Sequence, residues 1–357
     1  MENMVNMNKS FWKDKKVFIT GNTGFKGSWL TLWLDSMGSN LLGYSDKIYS
    51  DNIHDVNKTC ETIIGDIRDF EKLKSSIHRF NPEIVIHLAA QPLVRESYSI
   101  PKETYEINLM GTLNVYESVL ALKSKCIILS ATTDKVYFNK EQLWGYRETD
   151  ELGGQDPYSN SKSCVELMSY SYNNSFFKNS IHKLFTARAG NVIGGGDWSK
   201  DRLIPDIIKN YYSNTLIELR NPLATRPWQY VLEPLYGYLS LIEKYWNEET
   251  IRPNFNFGPN FEQCITVEEV TKILMEYFGR NISESVINGI DKTLHESKLL
   301  FLDCTKSKSE ISWKPTLTTK ESLIKTAEWY KCFHENLDVI KTSLNQIEDF
   351  EKKANIY

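Results

Sequence analysis

Tyr158 and Lys162 stand four positions apart in the run Asp156-Pro157-Tyr158-Ser159-Asn160-Ser161-Lys162. On a helix that spacing puts both side chains on one face, and an Asp-Pro pair is a good helix start. An ammonium beside a phenol favours the phenolate, lowering a pKa that starts near ~10. Such a tyrosine takes a proton from a secondary alcohol while a bound oxidant accepts the carbon-bound hydrogen. A short Tyr-x-x-x-Lys pattern also arises by chance, so its weight depends on what precedes it.

Two segments supply that weight. The first is Ser130-Ala131-Thr132-Thr133-Asp134-Lys135, the end of an apolar run. Catalytic groups in open α/β sheets sit at the carboxyl ends of strands. Thr133 would hydrogen-bond the reacting oxygen, and Asp134 and Lys135 would supply an acid and a base beside it. Without the Tyr/Lys pair, a solvated loop would be the default reading.

The second is Gly21-Asn22-Thr23-Gly24-Phe25-Lys26-Gly27, which follows one apolar run and opens another. Gly21 permits a tight turn, Gly24 lets the backbone approach a pyrophosphate, and Gly27 lets helix and strand pack closely. The exposed N–H groups and the positive helix end attract phosphate. Asp46, just past the second strand, is placed to accept hydrogen bonds from a ribose diol, which favours NAD over NADP. A solvated loop aspartate is the competing reading. Asp66-Ile67, after the third strand, would hold an adenine, or form a simple turn.

The elements that must position these residues are legible as alternating strands and helices. Strands are expected at Lys16–Thr20, Asn40–Tyr44, Glu61–Gly65, Glu83–Ala89, Lys125–Ser130 and Lys183–Ala189. Helices are expected at Ser28–Met37, Phe70–Phe80, Tyr105–Leu122 and from Tyr158, with a long polar loop over 138–156. Apolar strands spaced by helices point to a doubly wound parallel α/β sheet with helices on both faces. Residues 1–190 form the expected dinucleotide-binding domain. Residues 231–258, with a helix at Leu232–Trp246 and a strand at Phe255–Phe257, return to it, and 191–230 and 259–357 make a smaller substrate lobe. Gly194–Gly196 reads as a flexible entry to that lobe. His87 and the pair Trp29 and Trp33 read as core residues.

The chain has 357 residues, 41% apolar and 25% charged, which excludes a disordered chain, a collagen or a coiled-coil rod. Its net charge of −4 lacks the basic surplus of a nucleic-acid binder. The six cysteines form no CxxC pair and the six histidines no HExxH, so neither a disulfide frame nor a metal site is expected. No apolar run reaches the ~20 residues of a membrane span. The polar start MENMVNMNKS lacks a signal-peptide core, and a cytoplasmic location is expected.

At this point the blocks TGNTGFKG, YSNSK and TTDK resemble the extended short-chain dehydrogenase/reductase family. Longer blocks, including GDIRDF, HLAAQPLVRESY, WGYRE, RAGNVIGGGDW, DRLIPDI and RNPLATRPWQYVLEPL, resemble its CDP-glucose 4,6-dehydratase branch. The resemblance implies a Rossmann-type enzyme with a recycled NAD. It would oxidise a sugar C4 hydroxyl with Tyr158 as base and Lys162 in support, lose water across C5–C6 with Asp134 as acid, and return the hydrogen to C6. The related dTDP-glucose enzymes carry Glu where Lys135 stands, so the C5 base is open between Lys135 and another group. The resemblance also assigns Leu88, Ala89 and Ala90 to the cofactor, and Gln91, Arg95, Asn191, Arg202 and Arg226 to the substrate. Asn191 would hydrogen-bond a substrate phosphate, Arg202 and Arg226 would pair with the diphosphate, Gln91, Arg95 and WGYRE would border the sugar pocket, and Asn108 would support the lysine. A homodimer or homotetramer and a role in deoxysugar supply for a bacterial surface polysaccharide are further implications. A dehydratase or 4-epimerase on another nucleotide hexose, and a dinucleotide-binding protein without catalysis, remain the alternatives.

Overall fold

The computed structural model describes residues 7–49, 59–219, 221–250, 252–281, 286–288 and 299–357. The N-terminal residues 1–6 read above lie outside them. Seven parallel strands form the central sheet: β1 Lys16–Thr20, β2 Asn40–Ser45, β3 Glu61–Ile64, β4 Ile84–His87, β5 Ile127–Ala131, β6 Lys183–Ala189 and β7 Asn254–Phe257. Their order is β7-β6-β5-β4-β1-β2-β3, so the chain starts in the middle and reverses direction between β1 and β4. A crevice opens at such a reversal, beyond the carboxyl ends of the strands. Every residue of β4 and β5 is buried, which is why these strands read as unbroken apolar runs. β3, at the edge, is partly exposed.

Helix α1 spans Phe25–Ser36 and is buried from Gly27 to Leu34. Its sequence is apolar all round because it is covered twice. The sheet lies on one side, and on the other lies the C-terminal helix Val339–Ala354. There the Trp33 indole N–H donates to Glu351 Oε1 at 2.9 Å and its ring meets Phe350 edge-on. Helix α2, Phe70–Phe80, is amphipathic, with Leu73 and Ile77 buried. Asp69 caps its start, and Asn81 in the left-handed region (φ 52°) ends it before Pro82.

The helix expected over 105–122 is not continuous. A turn at Pro101–Tyr105 passes into a π-helical segment, Glu106–Met110, before α3 at Gly111–Leu120. The widened turn holds Asn108 inside. Its Oδ1 accepts the Gln91 N–H at 2.9 Å, and its Nδ2 donates to Ser161 Oγ at 2.9 Å. Helix α4, Pro157–Tyr172, starts as read, with Asp156 accepting the Ser159 N–H at 2.9 Å and Pro157 in the first turn.

After β6 come α5 (Leu203–Ser213), α6 (Leu232–Tyr245), α7 (Val267–Tyr277), α8 (Thr319–His334) and α9 (Val339–Ala354). Residues of α5, α6, α8 and α9 share one hydrophobic cluster with β1 and α1. A second cluster fills the opposite sheet face. The glycines at 194–196 are not a flexible entry. A Cβ on Gly195 would fall 2.0 Å from the Trp329 ring of α8, so the segment is a tight packing point. His87 is buried, with Nδ1 2.7 Å from Thr20 Oγ1 and Nε2 2.9 Å from Thr112 Oγ1, and burial drops its pKa to about 3. No helix among the described residues is long and apolar enough to cross a membrane.

Candidate active site

The glycine loop lies between β1 and α1. Gly21 has φ +72°, and a Cβ there would sit 2.7 Å from the Ala89 nitrogen, so the chain just past β4 passes directly beneath it. A Cβ on Gly27 would strike Gly21 O at 2.0 Å. At Gly24 the only near atom is Gly21 O, at 3.3 Å, so the outer side of the loop is open. Gly24 also leaves the first turn of α1 without a side-chain cap. An open glycine cradle under free helix N–H groups suits a pyrophosphate. Asn22, fully buried, fixes the loop by donating to Thr62 Oγ1 at 2.8 Å and accepting from Ser45 Oγ at 3.0 Å. Thr23 turns its hydroxyl to Lys47 O at 2.7 Å.

Asp46 is exposed immediately after β2, where a ribose-binding carboxylate is needed. Asp66 stands just past β3 with its carboxylate already engaged. Its carboxylate takes the Arg68 fork, at 2.6 Å from Nη2 and 3.0 Å from Nε, which holds it below the usual carboxylate range. An adenine amino group would have to share it. Ile67 is buried, and its carbonyl accepts from Asn114 at 2.9 Å. Leu88 and Ala89 hydrogen-bond Thr20 through their N–H groups, at 3.0 and 3.2 Å. With Ala90 they are half-buried past the end of β4. These residues fit a dinucleotide.

A cavity of about 660 Å³ adjoins the loop, within the range of small-molecule sites. Its wall carries Phe25, Lys26, Thr133, Asp134, Lys135 and Tyr158, and also Arg95, Asn191, Arg202 and Arg226. Two elements bring the reactive groups together: the end of β5 delivers Thr133 and Asp134, and the first turns of α4 deliver Tyr158 and Lys162. Thr133 donates to Asp134 Oδ1 at 3.0 Å. Asp134 Oδ2 is buried with no hydrogen-bond partner among the described residues, aimed across Gly190. A buried unsatisfied carboxylate oxygen is costly unless a ligand completes it.

Tyr158 departs from expectation. Burial pushes its phenol up to about 12, against its hydrogen bond with Thr133 and the pull of Arg202. Lys162 is not spent on the phenol: its Nζ donates to Ala131 O at 3.2 Å. Burial lowers this ammonium to about 8, and Glu166 opposes the fall. Lys26 is lowered further, to about 7, by burial and by the like charges of Lys162 and Arg202, with Asp134 opposing. The loop sequence displays Lys26 but not its enclosure.

Arg202 is half-buried and pairs with Asp197 at 2.8 Å, and Arg95 lies 3.8 Å from Asp201. Arg226 donates to Thr225 O at 3.0 Å, and Asn191 stands in the left-handed region at φ 47°. Gln91 is not on the cavity wall. Its amide folds back onto the turn after β4, donating to Leu93 O at 3.1 Å and Thr104 Oγ1 at 3.0 Å while its Oε1 accepts the Leu93 N–H, so the turn's own polar groups are met. Nor does WGYRE border the cavity. Trp144 is exposed, and Glu148 accepts the Asn256 N–H at 2.9 Å on the far side of β7.

The family model described as GDP-mannose 4,6 dehydratase matches residues 18–326. CDP-glucose 4,6-dehydratase of Salmonella typhimurium is 44% identical over 354 residues, covering 96% of this chain and 98% of that protein. The solved UDP-glucose 4-epimerase of Thermotoga maritima superposes with a TM-score of 0.79 at 21% identity, over 89% of this chain and 99% of that one. A dTDP-glucose 4,6-dehydratase of Bacillus anthracis, solved with NAD, superposes at 0.74 and 21% identity, over 91% and 99%. At such identities the two structures carry the fold alone.

Proposed function

Since the chain belongs to the GDP-mannose 4,6-dehydratase family, we propose that it is an NAD-dependent hydro-lyase converting CDP-glucose to CDP-4-keto-6-deoxyglucose. The observation that carries this reading is the meeting of Thr133, Asp134, Lys135 and Tyr158 on the wall of one cavity that also bears Arg202 and Arg226. The high identity to the Salmonella CDP-glucose enzyme supports the choice of nucleotide sugar.

NAD, when bound, supplies the reversible two-electron oxidation. The loop Gly21–Gly27 would hold its pyrophosphate, Asp46 its ribose, and Leu88, Ala89 and Ala90 would flank it. Tyr158 draws the proton from the sugar C4 hydroxyl, with Thr133 orienting that oxygen and Lys162 supporting the negative charge. Ionising a phenol held near about 12 needs added positive charge at the site. The C4 ketone makes the C5 proton acidic, and Lys135, on the cavity wall, serves the C5 step. Asp134 gives a proton to the departing C6 hydroxyl. Arg202 and Arg226 hold the diphosphate with Asn191 on one phosphate, and Arg95 borders the sugar.

All six cysteines are free thiols, which fits a reducing cytoplasm. Exposed Leu167, Tyr170 and Phe176, on α4 and the turn after it, favour a homo-oligomer. Incubation with CDP-, dTDP-, UDP- and GDP-glucose side by side tests the substrate. Turnover of CDP-glucose well above the rest is expected; equal or faster turnover of another donor would refute the assignment.

A further inference from the structure

Tyr158, Lys162 and Glu166 follow one another at four-residue intervals along α4, so all three lie on one stripe of the helix. The reaction described above uses the first two. Glu166 is 2% exposed and saturated with donors. Its Oε1 accepts the Thr132 hydroxyl, and its Oε2 accepts Thr186 Oγ1 and Arg188 Nη2, each at 2.8 Å. Arg188 continues to the Tyr137 hydroxyl at 2.7 Å, and Tyr137 to Asn256 Oδ1 at 2.8 Å. One carboxylate thus ties α4 to the ends of β5 and β6, and through Arg188 and Tyr137 to β7.

Burying an ion pair rarely adds net stability, since an apolar pair of equal volume packs as well. The charge at Glu166 therefore calls for another explanation, and its neighbours supply one. Around Lys162 stand Tyr158 and Glu166 on its own helix, the Ala131 carbonyl from β5, His87 from β4 and Lys26 from the glycine loop. His87 is neutral and Lys26 has the same sign. Glu166 is the group that favours the ammonium against burial. Its other partner, Thr132, immediately precedes Thr133 and Asp134.

We propose that Glu166 is a positioning residue for the reaction assigned above, supporting the Lys162 ammonium through its charge and anchoring the Thr133–Asp134 strand end through Thr132. The proposal rests on the dehydratase reading. Its test is the pH–rate profile of kcat for the NAD-loaded enzyme, wild type against Glu166→Gln and Glu166→Asp. With Gln the ammonium is lost at lower pH, so the alkaline limb should move down by about 1 pH unit, the scale of a neighbouring buried charge. The acid limb should stay, and Asp should restore part of the shift. A folded Gln variant whose profile falls evenly, with both limbs unmoved, overturns the proposal.

Gln at 166 leaves Arg188 buried and uncompensated, so Glu166→Gln combined with Arg188→Gln is the companion variant. The same alkaline shift is expected, and an unmoved limb is again contrary. Thr132→Val keeps both charges and tests the anchor separately. It should lower kcat with the limbs in place, whereas full kcat would remove the anchoring role. Failure of the wild type itself to dehydrate any nucleotide hexose would overturn the reading beneath the proposal.

Discussion

The Asp134 carboxylate lies flat across Gly190: a Cβ on that glycine would fall 2.0 Å from Oδ2. Asp134 is buried, and a shift of this size has nowhere to go without turning the carboxylate. Gly190→Ala should therefore act like loss of the acid while sparing C4 oxidation. Overall turnover should drop roughly 10²–10⁴-fold, the range of a general acid, with reduced cofactor accumulating on the enzyme. Absorbance of the reduced nicotinamide during one turnover checks this; normal dehydration would disprove it.

Tyr158→Phe should remove the first proton transfer. A rate loss of roughly 10²–10⁴-fold is expected, with NAD retention and melting temperature close to wild type, because the substitution removes one oxygen and keeps the buried ring. Rapid mixing with CDP-glucose should show no reduced cofactor, which separates this variant from Gly190→Ala.

Lys26 makes NAD binding depend on pH. Its pKa is about 7, so it is charged below that pH and neutral above it. The oxidised nicotinamide is cationic and the reduced ring is not. The diphosphate is common to both forms, so the ratio of NAD to NADH affinity should rise as pH climbs through about 7. Lys26→Met should flatten that ratio over the same window. Titration calorimetry at several pH values measures both.

Glu233 affects stability on the alkaline side. It is buried on α6, accepts the Thr316 N–H at 3.0 Å and the Leu317 N–H at 2.7 Å, and burial raises its pKa to about 8. A carboxyl raised on folding stabilises fully below its unfolded pKa. That contribution is lost as pH rises through the folded value. Wild type should therefore lose melting temperature, relative to Glu233→Gln, as pH moves from about 4.5 toward about 8. Parallel curves for the two proteins would contradict it.

What the sequence made legible was local. Strand β5 and the turn after β1 could be read because an apolar run and a glycine spacing carry their own reasons. Tyr158, Thr133 and Asp134 then meet in one cavity because the strand end and the helix start follow the same rules. What it hid depends on distant partners. The π-helical turn exists to seat Asn108 between Gln91 and Ser161. Gly195 is crowded by Trp329, far along the chain, and α1 is apolar all round because α9 returns to cover it. Lys26 looked like one more loop residue until its burial beside Lys162 gave it a different proton affinity.

The central claim is that hydrogen leaves C4 and returns to C6 of the same sugar while Tyr158 and Asp134 handle the protons. CDP-glucose carrying deuterium at C4 tests it directly. NMR of the product should find the label at C6 of a 4-keto-6-deoxy sugar. Label still at C4, or lost to water, would contradict the mechanism.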